Sequence, residues 1–311
     1  MTQARIIVCG AGGFLGSHIC QHFVQQGHVV AAVGRSPKMP TAAGSGNLAF
    51  FAQMNLPDGA LSQILKDFSP DVLIYCAGTA SVPQSFQAPH TDFQNSVESC
   101  AFTLETLREY PKDCHFVFLS SAALYGNSNQ LPIDEFAAIS PVSPYGYHKQ
   151  ICEILIEEYA NLYGMQTAIL RIFSAYGERL KRQVIHDLCQ KLFDPHLEQI
   201  ELYGTGQESR DFIHASDVAT AIDCIIRSGV TGVYNVGSGQ QTSISELAQI
   251  LSRLSNRQKH YRFNQQIRSG DPVNVEADIT KLKRLGFTPS VTLVEGLQKY
   301  LSWFTSEKGY S

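Results

Sequence analysis

The chain has 311 residues, 44% of them hydrophobic and 17% charged, with 24 Lys and Arg against 28 Asp and Glu for a net charge of −4. That composition excludes a disordered chain, and that length buries a full core as one large domain or two intimate ones. Slight acidity without a Lys/Arg cluster argues against nucleic acid or an anionic membrane as the main partner, so anionic small ligands must be held by local arginines.

Arg5-Ile6-Ile7-Val8-Cys9 is a short apolar run followed at once by Gly10-Ala11-Gly12-Gly13-Phe14-Leu15-Gly16-Ser17 and an amphipathic stretch to Gly27. Strand, glycine turn, helix is the order of a dinucleotide site. Gly10, Gly13 and Gly16 tighten the turn, admit backbone N–H groups to a pyrophosphate and let the helix pack close. Phe14 and Leu15 inside the turn join them as candidate cofactor contacts. The second strand, 28–33, ends in Gly34-Arg35-Ser36. An NAD site usually places Asp or Glu there for the ribose 2′-hydroxyl, whereas Arg suits a 2′-phosphate. Arg35 therefore favours NADP(H), with NAD(H) the alternative if Arg35 is simply solvated.

Residues 37–47 read as a loop from their Pro, Gly and Ser content. Residues 48–51 read as a third strand, with Asn55 and Leu56 placed to flank the adenine. A helix follows around 60–68, then a fourth strand at 72–76, where Cys76-Ala77-Gly78 is small enough to admit a cofactor to the backbone. Residues 92–110 carry a helical pattern with Asn95 in its first turns. This alternation predicts an α/β fold, a doubly wound parallel sheet (Rossmann) with its ligand over the carboxyl ends of the strands.

His115-Phe116-Val117-Phe118-Leu119 reads as a buried strand running into Ser120-Ser121. After Pro144 a helix runs to about Tyr163, and Tyr145 and Lys149, four apart, share one face of it. A positive charge within about 4–6 Å favours the ionised form of a phenol, and the Ser121 hydroxyl suits the same substrate oxygen. Ser121, Tyr145 and Lys149 thus form a candidate catalytic site for moving a proton on and off an alcohol or ketone, the last two also touching the cofactor. Alone, Tyr-x-x-x-Lys equally describes a surface tyrosine beside a solvated lysine; the glycine turn singles this one out.

The same helix carries Ile151, Ile154, Leu155, Ile156, Tyr159 and Leu162, a stripe wider than one core-facing seam needs. It predicts a homodimer through this helix and 92–110, unless both faces are covered within one chain. Eight scattered cysteines without a C-x-x-C pair read as reduced core thiols, which fits the cytoplasm. His18 and His22 lack a third ligand and read as ordinary helix residues, so no metal is expected. No stretch reads as a signal peptide or a membrane span.

Beyond Arg171 helices alternate with short strands around 200–203 and 232–237. The expected division is a dinucleotide-binding domain at 1–172 and a smaller α+β substrate domain at 173–311, with some interleaving of segments. Arg210, after the turn at 204–207, and Arg268, heading an exposed loop, are candidates to clamp a diphosphate, although each alone is equally an ordinary salt-bridge donor. Arg182, with Gln183 and His186, is a candidate to face the sugar or base.

In these motifs and their order the chain resembles the extended short-chain dehydrogenase/reductase family, specifically its nucleotide-sugar epimerases, dehydratases and reductases. The resemblance covers nearly the whole length: Gly10 to Gly16, Cys76-Ala77-Gly78, Asn95, Ser121 to Gly126, Tyr145 to Lys149, Arg171 to Gly177, Arg210 to His214, and Ser269-Gly270-Asp271. It implies Tyr145 as acid/base, Lys149 on the nicotinamide ribose, Ser121 orienting the substrate oxygen, and Arg210 and Arg268 gripping the nucleotide diphosphate. The implied chemistry is hydride exchange between C4 of a hexose and the nicotinamide.

Departures from the family patterns narrow that chemistry. The acids that dehydratases carry just after the Ser/Thr are here Ala122 and Ala123, and the Cys and His of fucose synthases are Ala123 and Arg179. The Asn of the Arg-x-x-Asn substrate contact is Ser174. A nucleotide-sugar 4-epimerase is favoured and an NADPH-dependent 4-ketoreductase of an NDP-4-keto-6-deoxyhexose is the alternative. A non-catalytic NADP-binding protein would leave Ser121, Tyr145 and Lys149 without a reason.

Overall fold

The computed structural model describes residues 3–36, 48–266, 270 and 272–309. The loop expected at 37–47, and Arg268, Ser269 and Asp271, lie outside the described residues.

The first half runs β1 (Arg5–Cys9), α1 (Phe14–Gln25), β2 (Val29–Gly34), β3 (Phe50–Gln53), α2 (Ala60–Phe68) and β4 (Val72–Tyr75). Two short helices follow, α3 (Val82–Gln87) and α4 (Pro89–Phe93), then α5 (Ser99–Arg108), β5 (His115–Ser121), α6 (Pro144–Tyr163) and β6 (Thr167–Ile172). The remainder comprises β7 (Ser174–Tyr176), α7 (Gln183–Phe193), β8 (Gln199–Leu202), β9 (Ser209–His214), α8 (Ala215–Ser228) and β10 (Gly232–Val236). It ends with β11 (Gln241–Ser243), α9 (Ile244–Ser255), β12 (His260–Phe263), α10 (Thr280–Lys283) and α11 (Leu293–Lys308).

Seven parallel strands form one sheet in the order β10-β6-β5-β4-β1-β2-β3, the doubly wound architecture expected. Its central strands are buried on both faces because each residue alternates between two helical layers. Ile6 and Val8 pack with Phe23 of α1 and Ile222 of α8, whereas Ile7 and Cys9 pack with Leu65 of α2, Leu104 of α5 and Ile156 of α6. A third core, under α7, α9 and α11, belongs to the smaller lobe with its two small sheets. β10, late in the chain, returns to the large sheet beside β6.

Several boundaries follow from local chemistry. Ser143 caps α6 by accepting from the Gly146 N–H at 3.2 Å, Pro144 fills the first turn, and Gly164 closes the helix at φ +69°. Two expectations need correction. The third strand lies at Phe50–Gln53 rather than 48–51, because its pairing with β2 begins at Ala31 opposite Phe50. The 92–110 helix is interrupted by a π turn, Gln94–Glu98, where Ser99 Oγ reaches both the Leu56 carbonyl (2.8 Å) and the Gln94 carbonyl (3.1 Å). Among the described residues no helix is long and apolar enough to cross a membrane.

Candidate active site

The carboxyl ends of β1, β2 and β4 open onto a cleft of about 260 Å³ lined by Gly10, Gly13, Arg35, Asn55, Leu56, Cys76, Ala77, Gly78 and Asn95. These nine sequence candidates therefore come together. Gly12, Val33, Gly34, Ser36, Met54 and Ser99 line it as well and were missed by sequence reasoning. Most adjoin a recognised motif; Ser99 is visible only through its hydrogen bond across to Leu56. Phe14, Leu15 and Gly16 stand behind the wall, Phe14 packed on the smaller lobe's core and Leu15 on the α1 side of the sheet.

The glycine turn has no room for side chains where it matters. Gly10 has φ +86°, and a Cβ on it would lie 2.6 Å from the Ala77 amide nitrogen; one on Gly16 would lie 2.2 Å from the Gly10 carbonyl oxygen. The N-terminus of α1 at Gly13 has no side-chain cap, so its first N–H groups face outward toward the cleft's end of the sheet. Burial pushes the Cys76 thiol up to about 12, so the wall stays neutral there, while the Lys149 ammonium pulls the other way.

Lys149 is 6% exposed on the inner face of α6. Its ammonium donates to the Leu119 carbonyl at 2.9 Å, stands 4.7 Å from the centroid of the Phe118 ring and 5.9 Å from that of Tyr145. Tyr145 is half-buried, its backbone N–H donating to Ser85 Oγ of α3 at 3.1 Å. Ser121 ends β5, and its Oγ accepts from the Ala123 N–H at 3.2 Å, which leaves the hydroxyl hydrogen for an outside acceptor. Lys149 and Tyr145 are thus neighbours at the carboxyl end of β5, while they and Ser121 are not among the residues lining the 260 Å³ cleft.

A buried polar floor supports this end of the sheet. Arg171 donates to both carboxylate oxygens of Glu153 (2.7 and 3.2 Å) and to the Tyr125 hydroxyl (2.9 Å), which donates to Asn235 Oδ1 at 2.7 Å. Ser120 donates to the same Glu153. Glu153, four residues after Lys149 on one helix face, was not singled out from the sequence, since a glutamate on a helix ordinarily reads as solvated.

The substrate candidates are more dispersed. Ser174 pairs with Phe212, two residues along β9 from Arg210, so these positions share a face of the small sheet. Arg210 Nη1 donates to the Ser209 and Val273 carbonyls at 2.9 and 3.1 Å. The adjoining Asp211 is structural, its buried carboxylate accepting from the Gly239 and Ala277 N–H groups at 2.9 and 3.0 Å. Arg182 is exposed at the start of α7, and His186 is buried with its Nδ1 2.8 Å from the Tyr300 hydroxyl, facing the core.

A model of the NAD dependent epimerase/dehydratase family matches residues 6–237. Among solved structures, the chain is similar to the UDP-N-acetylglucosamine 4-epimerase of Methanobrevibacter ruminantium, in complex with UDP-N-acetylmuramic acid (28% identity, 99% of this chain and 100% of that one, TM-score 0.90). It is also similar to the UDP-glucose 4-epimerase of Thermotoga maritima with UDP-glucose (27%, 97% and 99%, TM-score 0.87). The UDP-glucuronic acid 4-epimerase of Bacillus cereus, with UDP-glucuronic acid and NAD, is similar at 25% identity over 97% of this chain and 99% of that one, TM-score 0.87.

Proposed function

Because the chain belongs to the NAD dependent epimerase/dehydratase family, we propose that it inverts C4 of a nucleotide-activated hexose through a 4-keto sugar, using a nicotinamide dinucleotide in the glycine-lined cleft. The observation that carries this is the placement of Lys149, buried on the inner face of α6 with its ammonium on the Leu119 carbonyl and 5.9 Å from the centroid of the Tyr145 ring. The cleft fits a dinucleotide: a backbone turn with no space for Cβ atoms, an uncapped helix N-terminus and the Arg35 guanidinium in its lining.

Gly10, Gly13 and the backbone N–H groups of Phe14, Leu15 and Gly16 in the uncapped first turn of α1 would hold the pyrophosphate, Asn55 and Leu56 the adenine, Asn95 and residues 76–78 the opposite wall. Such a cofactor supplies a hydride acceptor and, once reduced, a hydride donor. Tyr145 takes the proton of the 4-hydroxyl as that carbon is oxidised and returns it when the ketone is reduced from the other face. Lys149 steadies the phenolate and binds the nicotinamide ribose, while Ser121 donates to the sugar oxygen. Ala122 and Ala123 offer no base for an elimination.

Three similar enzymes hold different sugars on UDP, which supports UDP as the nucleotide here. Ser174, Arg182, Arg210 and Arg268 would grip it, within a substrate domain at 173–311 from which α8 and β10 interleave back onto the large sheet of a dinucleotide domain at 1–172. Arg35 on the cleft rim favours NADP(H), and the NAD of the Bacillus cereus enzyme favours NAD(H). We place the enzyme in the cytoplasm as a homodimer through α5 and α6.

Purified enzyme given UDP-glucose, UDP-N-acetylglucosamine or UDP-glucuronic acid without added cofactor should interconvert C4 epimers, followed by NMR. Tyr145→Phe should lower kcat by about 10²–10⁴-fold while cofactor affinity survives. NADPH consumption on a 4-keto-6-deoxy sugar, with no epimer formed, would replace this function with the reductase. Cofactor binding with no turnover of any sugar nucleotide would leave a binding protein. Competition between NAD and NADP in wild type and Arg35→Ala assigns the cofactor.

A further inference from the structure

We propose that Asp92 and His148 are positioning residues that lock the Tyr145/Lys149 helix to the cofactor wall. This rests on the epimerase function just proposed. Asp92 closes α4, is 3% exposed, and spends both carboxylate oxygens inside the protein: Oδ1 accepts from the Thr79 hydroxyl and Oδ2 from His148 Nδ1. Among the described residues the side chain at ion-pair distance from Asp92 is His148, and no lysine or arginine pairs with it. A carboxylate with so little water must be matched by donors, so both partners are fixed in role: Nδ1 of His148 carries a hydrogen, and so does Thr79 Oγ1.

The two donors come from the two parts that the chemistry must hold in register. Thr79 directly follows Gly78 in the turn that lines the cleft, and its hydroxyl also lies 3.5 Å from Ser96 Oγ. His148 sits on α6 between Tyr145 and Lys149, with its ring edge-on to Phe93 at 5.5 Å. Residues 145, 148, 149 and 152 share one helix face. One buried carboxylate therefore bridges the cofactor wall and the acid/base helix.

The bridge stands two residues before a change of backbone pattern. Immediately after Asp92 the chain passes into the π turn at Gln94–Glu98, whose ladder departs from the regular i→i+4 pattern. Displacing α6 by about 1 Å suffices to cost on the order of 100-fold in rate when geometry is set for proton and hydride transfer.

The test compares His148→Phe, which fills the ring's space without a donor, with His148→Asn, whose amide donates to Asp92 from nearly the Nδ1 position. His148→Phe should lower kcat about 10–100-fold with KM for the sugar nucleotide within about twofold, and His148→Asn should recover most of the loss. Asp92→Asn should follow His148→Phe if it folds. Equal kcat in His148→Phe and wild type, or a rise in KM with kcat unchanged, overturns the inference; if Tyr145→Phe is inactive in the same assay, the epimerase function survives that result. If wild type turns over no sugar nucleotide, the epimerase function falls instead, and positioning is read from amide exchange at 145–149. His148→Phe should then speed exchange and His148→Asn should not; identical exchange in all three overturns it.

Discussion

His18 shows how a single buried side chain ties α1 to the segment that follows β7. It is 8% exposed on α1, and its Nε2 lies 3.0 Å from the Glu178 carbonyl oxygen, an acceptor, so that nitrogen carries a hydrogen. Burial lowers its pKa to about 4, with the Glu178 carbonyl pulling the other way. The Glu178 carboxylate, 3.1 Å from His214 Nε2, is lowered to about 2, chiefly by that hydrogen bond and against burial. As pH falls below 6.5 the unfolded chain protonates His18 while the folded protein does not until about 4, so stability drains across that window. Glu178 adds a second loss between 4.5 and about 2, of the same sign. The His18 effect is about 2–3 kcal/mol at its full extent, and the part-exposed Glu178 about 1–2 kcal/mol. Thermal melts by circular dichroism should show Tm falling steadily from pH 6.5 to 4 in wild type. In His18→Gln, which keeps a donor but not the titration, that part of the curve should flatten; an unchanged slope would refute the assignment.

At the scale of elements, the turn between β1 and α1 is held by backbone hydrogen bonds. Gly10 and Ala11 N–H both donate to the Val33 carbonyl (2.8 and 3.0 Å), so the turn cannot retreat when something is added at Gly16. A Cβ there would meet the Gly10 oxygen at 2.2 Å and Ala11 Cα at 2.8 Å. Gly16→Ala should cost about 3 kcal/mol in denaturant melts, toward the severe end of overpacking, and weaken cofactor binding more than tenfold. Gly59→Ala, whose Cβ meets nothing within 4 Å, should change stability by less than about 1 kcal/mol. Elements of this kind are legible because their signals are local: an apolar run, a glycine trio, Ser143-Pro144 before a helix and Gly164 after it. What depends on distant partners is not. The pairing of Ala31 with Phe50, the π turn after Asp92 and the return of β10 to β6 leave no mark in the neighbouring sequence. The site divides the same way. Nine cleft residues and the Tyr145/Lys149 pair follow from motif and spacing, whereas Glu153, Asp92 and Asn235 read as solvated polar residues until the groups facing them are known.

For the whole molecule, the open question is what covers α6. Of the stripe that suggested a second apolar face, Ile151, Leu155, Ile156 and Tyr159 pack within the chain against the sheet and α5. Ile154 and Leu162 remain 57% and 70% exposed, eight residues apart on one stripe, with Tyr163 beside them. α5 lies alongside: Tyr159 donates to Glu105 Oε2 at 3.0 Å, and the Arg108 guanidinium stands 5.3 Å from the Tyr163 ring centroid. The two helices thus present one rigid surface, and a copy of it related by a twofold axis would bring Ile154 and Leu162 against their own counterparts, the isologous contact that most homodimers use. Light scattering should give twice the 34.3 kDa chain mass for wild type and a single chain for Ile154→Asp/Leu162→Asp. Since both side chains are exposed, the double variant should keep the monomer fold and its cofactor affinity. A wild-type mass of one chain would show that this face is simply solvated, and the dimer would be discarded.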